Sequence, residues 1–193
     1  MIKRFVFRDD DIASNTELEW FKPVHELFVS NHKTHTISII CNMFETNKTI
    51  IDYIKSTNYW NIQIHGWEHE RYGLYDEKRI GEELDMCIEK IESIFGVTPS
   101  KWYLPWNGWT PELGSGHELD AMPKIYKVAK LHGLEADINC DHMGHFMREL
   151  EEGEMPKTKT VYFHSWNKDD CLMLPHLIDL TEKYCEQYVR SKE

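Results

Sequence analysis

Two histidines that lie four residues apart, His65 and His69, follow a stretch at residues 60–64 in which apolar and polar side chains alternate. That alternation is typical of a β-strand, so the pair is expected just beyond a strand end. If the chain turns helical after Gly66, the two imidazoles lie on one face and can bind the same divalent ion. The coordination positions that remain stay open, as catalysis requires. The pair therefore predicts a catalytic metal site.

Three consecutive carboxylates, Asp9, Asp10 and Asp11, end a short apolar run at residues 5–7. Three like charges repel one another unless water or a cation neutralises them, and an oxygen ligand is what a two-histidine site lacks. Period-two alternation places Arg8 and Asp10 on the inner face of the first strand, with Asp11 within reach if the strand breaks there. We expect a buried Asp10 that Arg8 keeps ionised. The alternative is a solvated acidic loop.

The size of the chain is that of one domain. Its 193 residues are 41% hydrophobic and 12% aromatic, enough to bury one core, and no stretch has the composition of a linker. We predict a single catalytic domain over residues 1–193. The net charge of −11 disfavours surfaces for nucleic acid or an anionic membrane, because phosphate groups would be repelled. A neutral or cationic substrate fits this charge better.

The cysteines and the apolar runs bear on the compartment. The five cysteines are odd in number and widely spaced, and no C-x-x-C pair occurs, which argues against a disulfide framework or a thiolate zinc site. The apolar run near the first residue is too short for a signal-peptide core, and no run of about 18 apolar residues is present for a membrane span. These patterns predict a soluble protein of the reducing cytoplasm.

Strand-like and helix-like patterns alternate along most of the chain, which predicts an α/β fold with parallel strands. The strands are expected at residues 5–7, 36–41, 60–64, 101–104, 134–139 and 160–163, and the clearest helix at 76–95. The residues with chemical potential all follow strand ends. A parallel barrel or a doubly wound sheet brings the carboxyl ends of its strands to one mouth, so either arrangement would collect these residues there.

Seven tryptophans are many for a chain of this length. Four of them neighbour the strand ends: Trp67, Trp106, Trp109 and Trp166. Their flat apolar faces can stack on sugar rings, although large aromatic side chains also simply fill cores. We expect Trp20, Trp60 and Trp102 in the core.

Four stretches in order resemble the polysaccharide deacetylase superfamily, the NodB-homology group of carbohydrate esterases. That family carries T-F-D-D at the end of its first strand, H-[ST]-x-x-H after the third, R-x-P-[WY] at the fourth and L-x-H near the C-terminus. The matching stretches are RDDD at 8–11, HGWEH at 65–69, YLPW at 103–106 and YFH at 162–164. Gly66 replaces the hydroxyl residue, and Tyr103 stands where the family has the arginine that holds its base. Arg8 is a candidate substitute, and the three aspartates leave the register open by one residue.

The resemblance implies a distorted (β/α) barrel of about six to seven parallel strands. It also implies one divalent ion bound by Asp11, His65 and His69, with zinc expected and cobalt or nickel possible because the same ligands suit all three. Asp10 would act as the general base and His164 as the general acid.

The implied reaction is the hydrolysis of an N-acetyl or related N-acyl group on a sugar or glycan, by water that the ion activates. A backbone N–H near Trp106 would stabilise the oxyanion, and His164 would protonate the departing amine. Asp137 or Asp141 would orient His164. The side chains assigned to the substrate are Trp67, Tyr103, Trp109 and Trp166.

Other interpretations remain open. Residues 65–69 also satisfy H-x-x-E-H, a zinc-protease motif that needs a helix, although Gly66 would cost that helix about 1 kcal/mol. A deacetylase-like hydrolase of a small cyclic amide is a second alternative. A sugar-binding module without activity is a third, suggested by the missing arginine. Residues 137–145 could hold another metal, although Asp and Asn near Gly more often form a turn.

Overall fold

The computed structural model describes residues 5–108, 121–154, 156 and 158–190. Strands and helices alternate along this part of the chain. The strands are β1 (Val6–Ile12), β2 (His35–Ile40), β3 (Trp60–Gly66), β4 (Lys101–Tyr103), β5 (Glu135–Asp137), β6 (Cys140–His142) and β7 (Thr160–Phe163). The helices are α1 (Leu18–Ser30), α2 (Lys48–Ser56), α3 (Glu77–Phe95), α4 (Met122–Leu131), α5 (Met143–Glu151) and α6 (Lys168–Arg190).

The seven strands form one sheet in the order β5-β4-β3-β2-β1-β7-β6, and every neighbouring pair is parallel. Its two edge strands, β5 and β6, are separated in sequence only by residues 138–139. One interrupted segment therefore pairs with β4 through its first half and with β7 through its second half, which brings the sheet close to closure. The predicted distorted barrel is confirmed. All strands end at one mouth, where such barrels carry their chemistry.

Helix ends follow local sequence signals. Asp76 caps α3 by accepting a hydrogen bond from the amide of Arg79 at 2.8 Å. Gly96 ends the helix in the left-handed conformation, at φ 69°, which glycine adopts without steric cost. The helix predicted over residues 76–95 thus forms as Glu77–Phe95.

Two expectations about the later part of the chain were wrong. The single strand predicted at 134–139 ends after Asp137, and the strand resumes as β6. The expected turn within residues 137–145 is β6 followed by the start of α5, whose N-cap His142 accepts a hydrogen bond from the amide of Gly144 at 3.3 Å. Histidine is not among the residues usually preferred at an N-cap, so the sequence did not indicate this helix start.

The helices pack on the sheet through two buried apolar clusters. The larger joins α2, α3 and α4 to β2, β3 and β4, and the second joins α1, α5 and α6 to β1 and β7. Phe7 of β1 packs outward against Phe28 of α1, with ring centroids 5.6 Å apart, whereas Arg8 and Asp10 are buried and pair with each other. The alternation predicted for β1 is therefore confirmed. It is this alternation that directs the polar residues of β1 toward the functional site.

A buried histidine of α1 makes the stability of the fold sensitive to acid. His25 stacks on Trp60, with ring centroids 3.5 Å apart, and lies beside His35. Burial, together with the charge of His35, lowers the pKa of His25 from 6.5 to about 4. The unfolded chain binds this proton near pH 6.5, but the folded chain does not until about pH 4, so stability is lost as the pH falls between these values.

We expect acidification from pH 7 to pH 4 to remove roughly 3 kcal/mol of unfolding free energy through His25. His25→Phe keeps the aromatic stacking and has no titrating group. Urea unfolding as a function of pH should therefore show a shallower acid decrease for this variant than for the natural chain. Parallel pH profiles for the two proteins would contradict the assignment.

Candidate metal centre

Asp11 reaches the mouth of the barrel through an irregularity in β1. The pairing of β1 with β2 shifts register between Asp9 and Ile12, and Asp11 lies there at φ 63°. A non-glycine residue in this region costs about 1–3 kcal/mol and persists where surrounding structure enforces it. The strand break that the sequence required for Asp11 is therefore present.

His65 lies on β3 and His69 on the loop that follows. Gly66 ends β3 at φ 125°, a conformation that suits glycine, and a Cβ at this position would come within 3.0 Å of the hydroxyl oxygen of Tyr72. A serine or threonine at this position, as in the family motif, would be strained by this φ and crowded by Tyr72. No helix forms between residues 66 and 72, and His69 itself lies at φ 65°. The expected helical turn was wrong, and a strand-and-loop setting also contradicts the helical H-x-x-E-H protease motif.

The three predicted ligands nevertheless converge. The Nε2 atoms of His65 and His69 each lie 3.1 Å from Oδ1 of Asp11, and one ligand atom from each residue lies within 4.8 Å of the others. Nitrogen and oxygen ligands about 2.0–2.1 Å from a tetrahedral zinc ion are roughly 3.3 Å apart. The spacing of these atoms fits a shared divalent ion.

The tautomer of His65 is also the one that a metal ligand needs. Its Nδ1 lies 2.8 Å from the backbone oxygen of Tyr103, and since a carbonyl only accepts, Nδ1 carries the proton. The lone pair of Nε2 is then free to face Asp11. Metal-binding histidines are usually oriented by such a contact on the other ring nitrogen.

The two imidazoles also set the charge state of Asp11. Burial by itself would raise the pKa of this carboxyl, but its contacts with the imidazoles of His65 and His69 outweigh burial and hold the pKa well below its usual range. Asp11 is thus an anion at neutral pH, the form that binds a cation.

Asp10 is buried beside a cation from its own strand. Nη2 of Arg8 lies 2.5 Å from Oδ2 of Asp10, and the hydroxyl of Ser38 donates to Oδ1 at 2.6 Å. The Arg8 guanidinium lies over the rings of Tyr103 and Tyr162, at 4.6 and 5.3 Å from their centroids. Burial acts against the charge of Arg8, but Asp10 outweighs it and raises the pKa of Arg8 above its ordinary value. The aromatic side chain that replaces the family arginine on β4 therefore supports the arginine of β1.

His164 is oriented by a carboxylate that the sequence analysis missed. Oδ2 of Asp170, in the first turn of α6, accepts a hydrogen bond from the backbone amide of His164 at 2.9 Å and lies 3.3 Å from its Nδ1. The expectation of Asp137 or Asp141 was wrong, because Asp137 contacts Lys101 at 3.4 Å and Asp141 lies in β6. The signal that could have revealed Asp170 is its position six residues after His164, at a helix start.

The contact between His164 and Asp170 shifts the pKa values of both residues. Burial alone would lower the pKa of His164, but the hydrogen bond that its ring donates to Asp170 and the negative charge of Asp11 raise it. Hydrogen bonds from His142 and His164 overcome burial and hold the pKa of Asp170 well below its usual range. Nε2 of His164 lies 3.7 Å from Oδ2 of Asp11, so the histidine stands next to the three converging ligands.

The sequence model described as polysaccharide deacetylase matches residues 10–115, which is more than half of the chain. The chain belongs to the polysaccharide deacetylase family. No curated protein sequence matches it significantly.

Solved structures share the deacetylase fold at low sequence identity. A family 4 carbohydrate esterase from Streptomyces lividans, in complex with acetate, matches with a TM-score of 0.71 and 10% identity over 95% of this chain and 90% of its own. A family 4 pseudoenzyme from Bacillus anthracis matches with a TM-score of 0.72 and 14% identity over 94% of this chain and 61% of its own. A peptidoglycan deacetylase from Bacillus subtilis matches with a TM-score of 0.62 and 11% identity over 96% of this chain and 84% of its own. This chain therefore spans about three fifths of the pseudoenzyme's length.

Asp9 occupies the phenylalanine position of the family's T-F-D-D motif, yet it is fully buried. Its Oδ2 lies 3.2 Å from Nε2 of His35, and its Oδ1 accepts the amide of Ser165 at 2.8 Å. Burial raises the pKa of this carboxyl against these contacts. The three aspartates thus have different surroundings: Asp9 holds the segment after His164, Asp10 pairs with Arg8, and Asp11 faces the histidines.

The aromatic residues of the predicted substrate site differ in accessibility. Trp106 is 43% exposed, and its backbone lies at φ 59°. Its Nε1 donates a hydrogen bond to the backbone oxygen of His69 at 3.3 Å, and the two ring centroids are 4.8 Å apart. Trp67 is half-buried against the larger core cluster. Tyr103 is only 1% exposed, so its predicted contact with substrate was wrong, because its side chain lies inside the barrel beside Arg8. Trp109 lies outside the described residues.

Two further clusters contain potential metal ligands. The first, within and just after residues 137–145, consists of Asp141, His145 and Glu149; the second adds His142 to His164 and Asp170. The Nδ1 of His145 is 3.7 Å from Asp141 and 4.0 Å from Glu149, wider than the 3.1 Å contacts around Asp11. In the part of the chain that the structure describes, no helix is both long and apolar enough to cross a membrane.

Proposed function

We propose that this protein is a metal-dependent deacetylase that hydrolyses an N-acetyl or related N-acyl group on a sugar or glycan. The observation that supports it most is the convergence of Asp11, His65 and His69, flanked by Asp10 on one side and His164 on the other. A bound divalent ion, with zinc expected, supplies Lewis acidity and lowers the pKa of water to about 7. The three ligands leave room for substrate and water, as in catalytic sites.

Asp10 is suited to take a proton from the attacking water. Arg8 and Ser38 each occupy one of its carboxylate oxygens, and each oxygen retains a second lone pair. The buried guanidinium pairs with this carboxylate, whose remaining lone pairs can accept the proton of a water molecule. Arg8 thereby takes the part that the family gives to an arginine on the fourth strand.

His164 is suited to donate a proton to the departing nitrogen. Its Nδ1 faces Asp170, so Nε2 points toward Asp11 and the centre. An amide expels its nitrogen readily only when that nitrogen is protonated, and a positioned general acid contributes about 10²–10⁴-fold. A backbone N–H near Trp106 remains our prediction for the oxyanion contact, a contribution of about 3 kcal/mol in acyl transfer.

Replacing Asp170 with asparagine should lower kcat at least a hundredfold, because the amide holds the imidazole in the wrong tautomer and does not stabilise its charge. Bound metal should stay at the natural level, since Asp170 is not among the three ligands. Acetate release and metal content of the purified variant measure these two effects. The matched control is Asp137→Asn, which leaves the contact with His164 intact and should retain activity.

A sugar-binding module without activity is the second candidate function. Matched structures that share the fold include those of one pseudoenzyme, a mutant of which has restored enzymatic activity. Against this candidate, both proton-transfer residues and all three ligands are present here, and Arg8 compensates for the missing arginine. We therefore favour an enzyme that acts on a carbohydrate. A cytoplasmic location remains a prediction from the cysteine pattern.

The proposed function is tested with zinc-, cobalt- and nickel-loaded protein and a panel of amides. Acetate release from N-acetylglucosamine oligomers, abolished by a chelator and restored by the metal, is the expected result. Turnover of small cyclic amides alone would favour the alternative hydrolase. Binding of oligosaccharides without turnover of any amide would favour the silent binding module.

A further inference from the structure

Two buried carboxylates hold the segment that carries His164. The backbone amide of His164 donates to Oδ2 of Asp170 at 2.9 Å, and the next amide, that of Ser165, donates to Oδ1 of Asp9 at 2.8 Å. The exposed fraction is 1% for Asp170 and 0% for Asp9. The course of the chain after β7 is therefore fixed by side chains of α6 and β1.

The carbonyl groups of the same two residues are bound as well. The amide of Asn167 donates to the backbone oxygen of His164 at 2.9 Å, and Sγ of Cys171 lies 3.2 Å from the backbone oxygen of Ser165. These two partners are near in sequence, whereas Asp9 is 156 residues away from Ser165. Asp9 is thus the contact that ties this segment to the first strand.

His35 orients Asp9 from the other side. Nε2 of His35 lies 3.2 Å from Oδ2 of Asp9, and both side chains are fully buried. One carboxylate oxygen of Asp9 faces an imidazole, and the other accepts the amide of Ser165. The carboxylate cannot rotate without losing both contacts, so His35 helps to fix the oxygen that holds Ser165.

His35 is in turn packed among aromatic rings. Its ring centroid lies 4.6 Å from that of Phe28 and 5.2 Å from that of Trp60, which packs against the core as predicted. Trp20 is 42% exposed, so the expectation that it fills the core was wrong, because Phe21, the next residue, lies on the buried face of α1 instead. Dense packing of this kind locks the rotamer of a supporting side chain.

The polar pair departs from the family motif, in which phenylalanine stands at the position of Asp9. Taking a carboxylate and an imidazole out of water costs free energy, and replacing a buried ionic pair with packed apolar residues is often neutral or stabilising. Stability alone therefore gives no reason for an aspartate at this position. The geometry that Asp9 imposes on Ser165 does give one.

We propose that Asp9 and His35 are positioning residues for His164. By holding the amide of Ser165, they keep Nε2 of His164 directed at the departing nitrogen. This inference rests on the proposed function. A general acid must lie within about 2.6–3.2 Å of the atom that it protonates, and a displacement of about 1 Å can cost about a hundredfold in rate. Nε2 of His164 already lies 3.7 Å from Oδ2 of Asp11, beside the proposed centre.

Two acetyl substrates separate this role from a merely structural one. The amide of an N-acetylglucosamine oligomer must have its leaving nitrogen protonated, whereas 4-nitrophenyl acetate releases a nitrophenolate that needs no proton. Asp9→Leu should lower kcat for the amide about thirtyfold, with KM and bound zinc nearly unchanged, and should lower kcat for the ester only slightly. His164→Ala should show the same selective loss. An equal loss of both activities in Asp9→Leu, or no loss of either, would overturn the proposal.

Asp9→Asn tests whether the acceptor oxygen is what matters. Asparagine keeps a carbonyl oxygen that can accept the amide of Ser165, but it removes the carboxylate charge just as leucine does. Amide turnover should therefore stay close to that of the natural protein. A loss as large as that of Asp9→Leu would show that holding Ser165 is not the function of Asp9, and would contradict the proposal.

His35→Phe and His25→Phe form a matched pair of variants. Both remove a buried imidazole from one aromatic cluster, in which the two ring centroids lie 5.7 Å apart, but it is His35 that faces Asp9. His35→Phe should lower the ratio of amide to ester turnover about tenfold, because Asp9 loses one of the two contacts that fix its carboxylate. His25→Phe should leave that ratio unchanged. Equal ratios for the two variants would contradict the role of His35.

The positioning role and the proposed function can fail separately. Hydrogen exchange at the amide of Ser165, followed by NMR, needs no turnover and should be faster in Asp9→Leu than in Asp9→Asn or the natural protein. Exchange at the natural rate in Asp9→Leu, in a protein that releases acetate, would reject the positioning role and retain the deacetylase. Faster exchange in Asp9→Leu, together with a natural protein that hydrolyses no amide, would reject the deacetylase and retain the contact.

Discussion

Replacing His69 with alanine is expected to abolish stoichiometric metal binding and acetate release while the fold survives. His69 supplies one of three protein ligands, and removing a ligand should weaken metal affinity by more than the 10- to 100-fold typical of outer-shell changes. The residue lies on a loop and is partly exposed, outside both apolar clusters, so its loss opens no core cavity. Isothermal titration with zinc and thermal unfolding by circular dichroism measure the two effects.

The matched control for this variant is His145→Ala. His145 belongs to the cluster with Asp141 and Glu149, whose contacts are wider than those around Asp11. This control should bind zinc with natural stoichiometry and retain activity. If His69→Ala kept both metal and turnover while His145→Ala lost them, the metal centre would have been assigned to the wrong cluster.

Asp10→Asn should reduce kcat by about a thousandfold or more and leave metal content unchanged. An asparagine cannot accept the proton of the attacking water, and general base catalysis contributes up to about 10⁴-fold. The variant also removes the carboxylate that neutralises the buried Arg8, which should cost roughly 3 kcal/mol of unfolding free energy. Rate measurements with saturating zinc and urea unfolding separate the catalytic loss from the structural one.

The double variant Asp10→Asn/Arg8→Met distinguishes these effects further. Methionine removes the buried charge of Arg8, so part of the lost stability should return. Activity should not return, because the proton acceptor is still missing. Recovery of acetate release in the double variant would show that Asp10 acts only by holding Arg8, and would reject its role as the base.

The sequence was informative about the fold wherever alternation and periodicity are strong. The patterns at residues 60–64 and 76–95 predicted β3 and α3. The alternation in β1 predicted that Arg8 and Asp10 are buried, because side-chain direction in a strand follows from residue order. The interrupted closure of the barrel through β5 and β6 was not predictable. It depends on two short pairings to different neighbours, which local sequence does not record.

The site was predicted in part for the same reason. Asp11, His65 and His69 follow strand ends, and a parallel barrel collects strand ends at one mouth. Asp170 was missed because it belongs to a helix start, and its contact with His164 depends on how α6 meets β7. Tyr103 was misjudged because alternation predicts which face of the strand a side chain lies on. It does not predict whether that side chain is buried inside the barrel or exposed at its mouth.

The most direct test of the account is an anomalous-scattering map of zinc-loaded crystals, recorded on both sides of the zinc absorption edge. A single strong peak among Oδ1 of Asp11 and the Nε2 atoms of His65 and His69, about 2.0–2.2 Å from each, is the predicted result. No peak at this position, or a zinc peak only between His142 and Asp170 or among Asp141, His145 and Glu149, would contradict it.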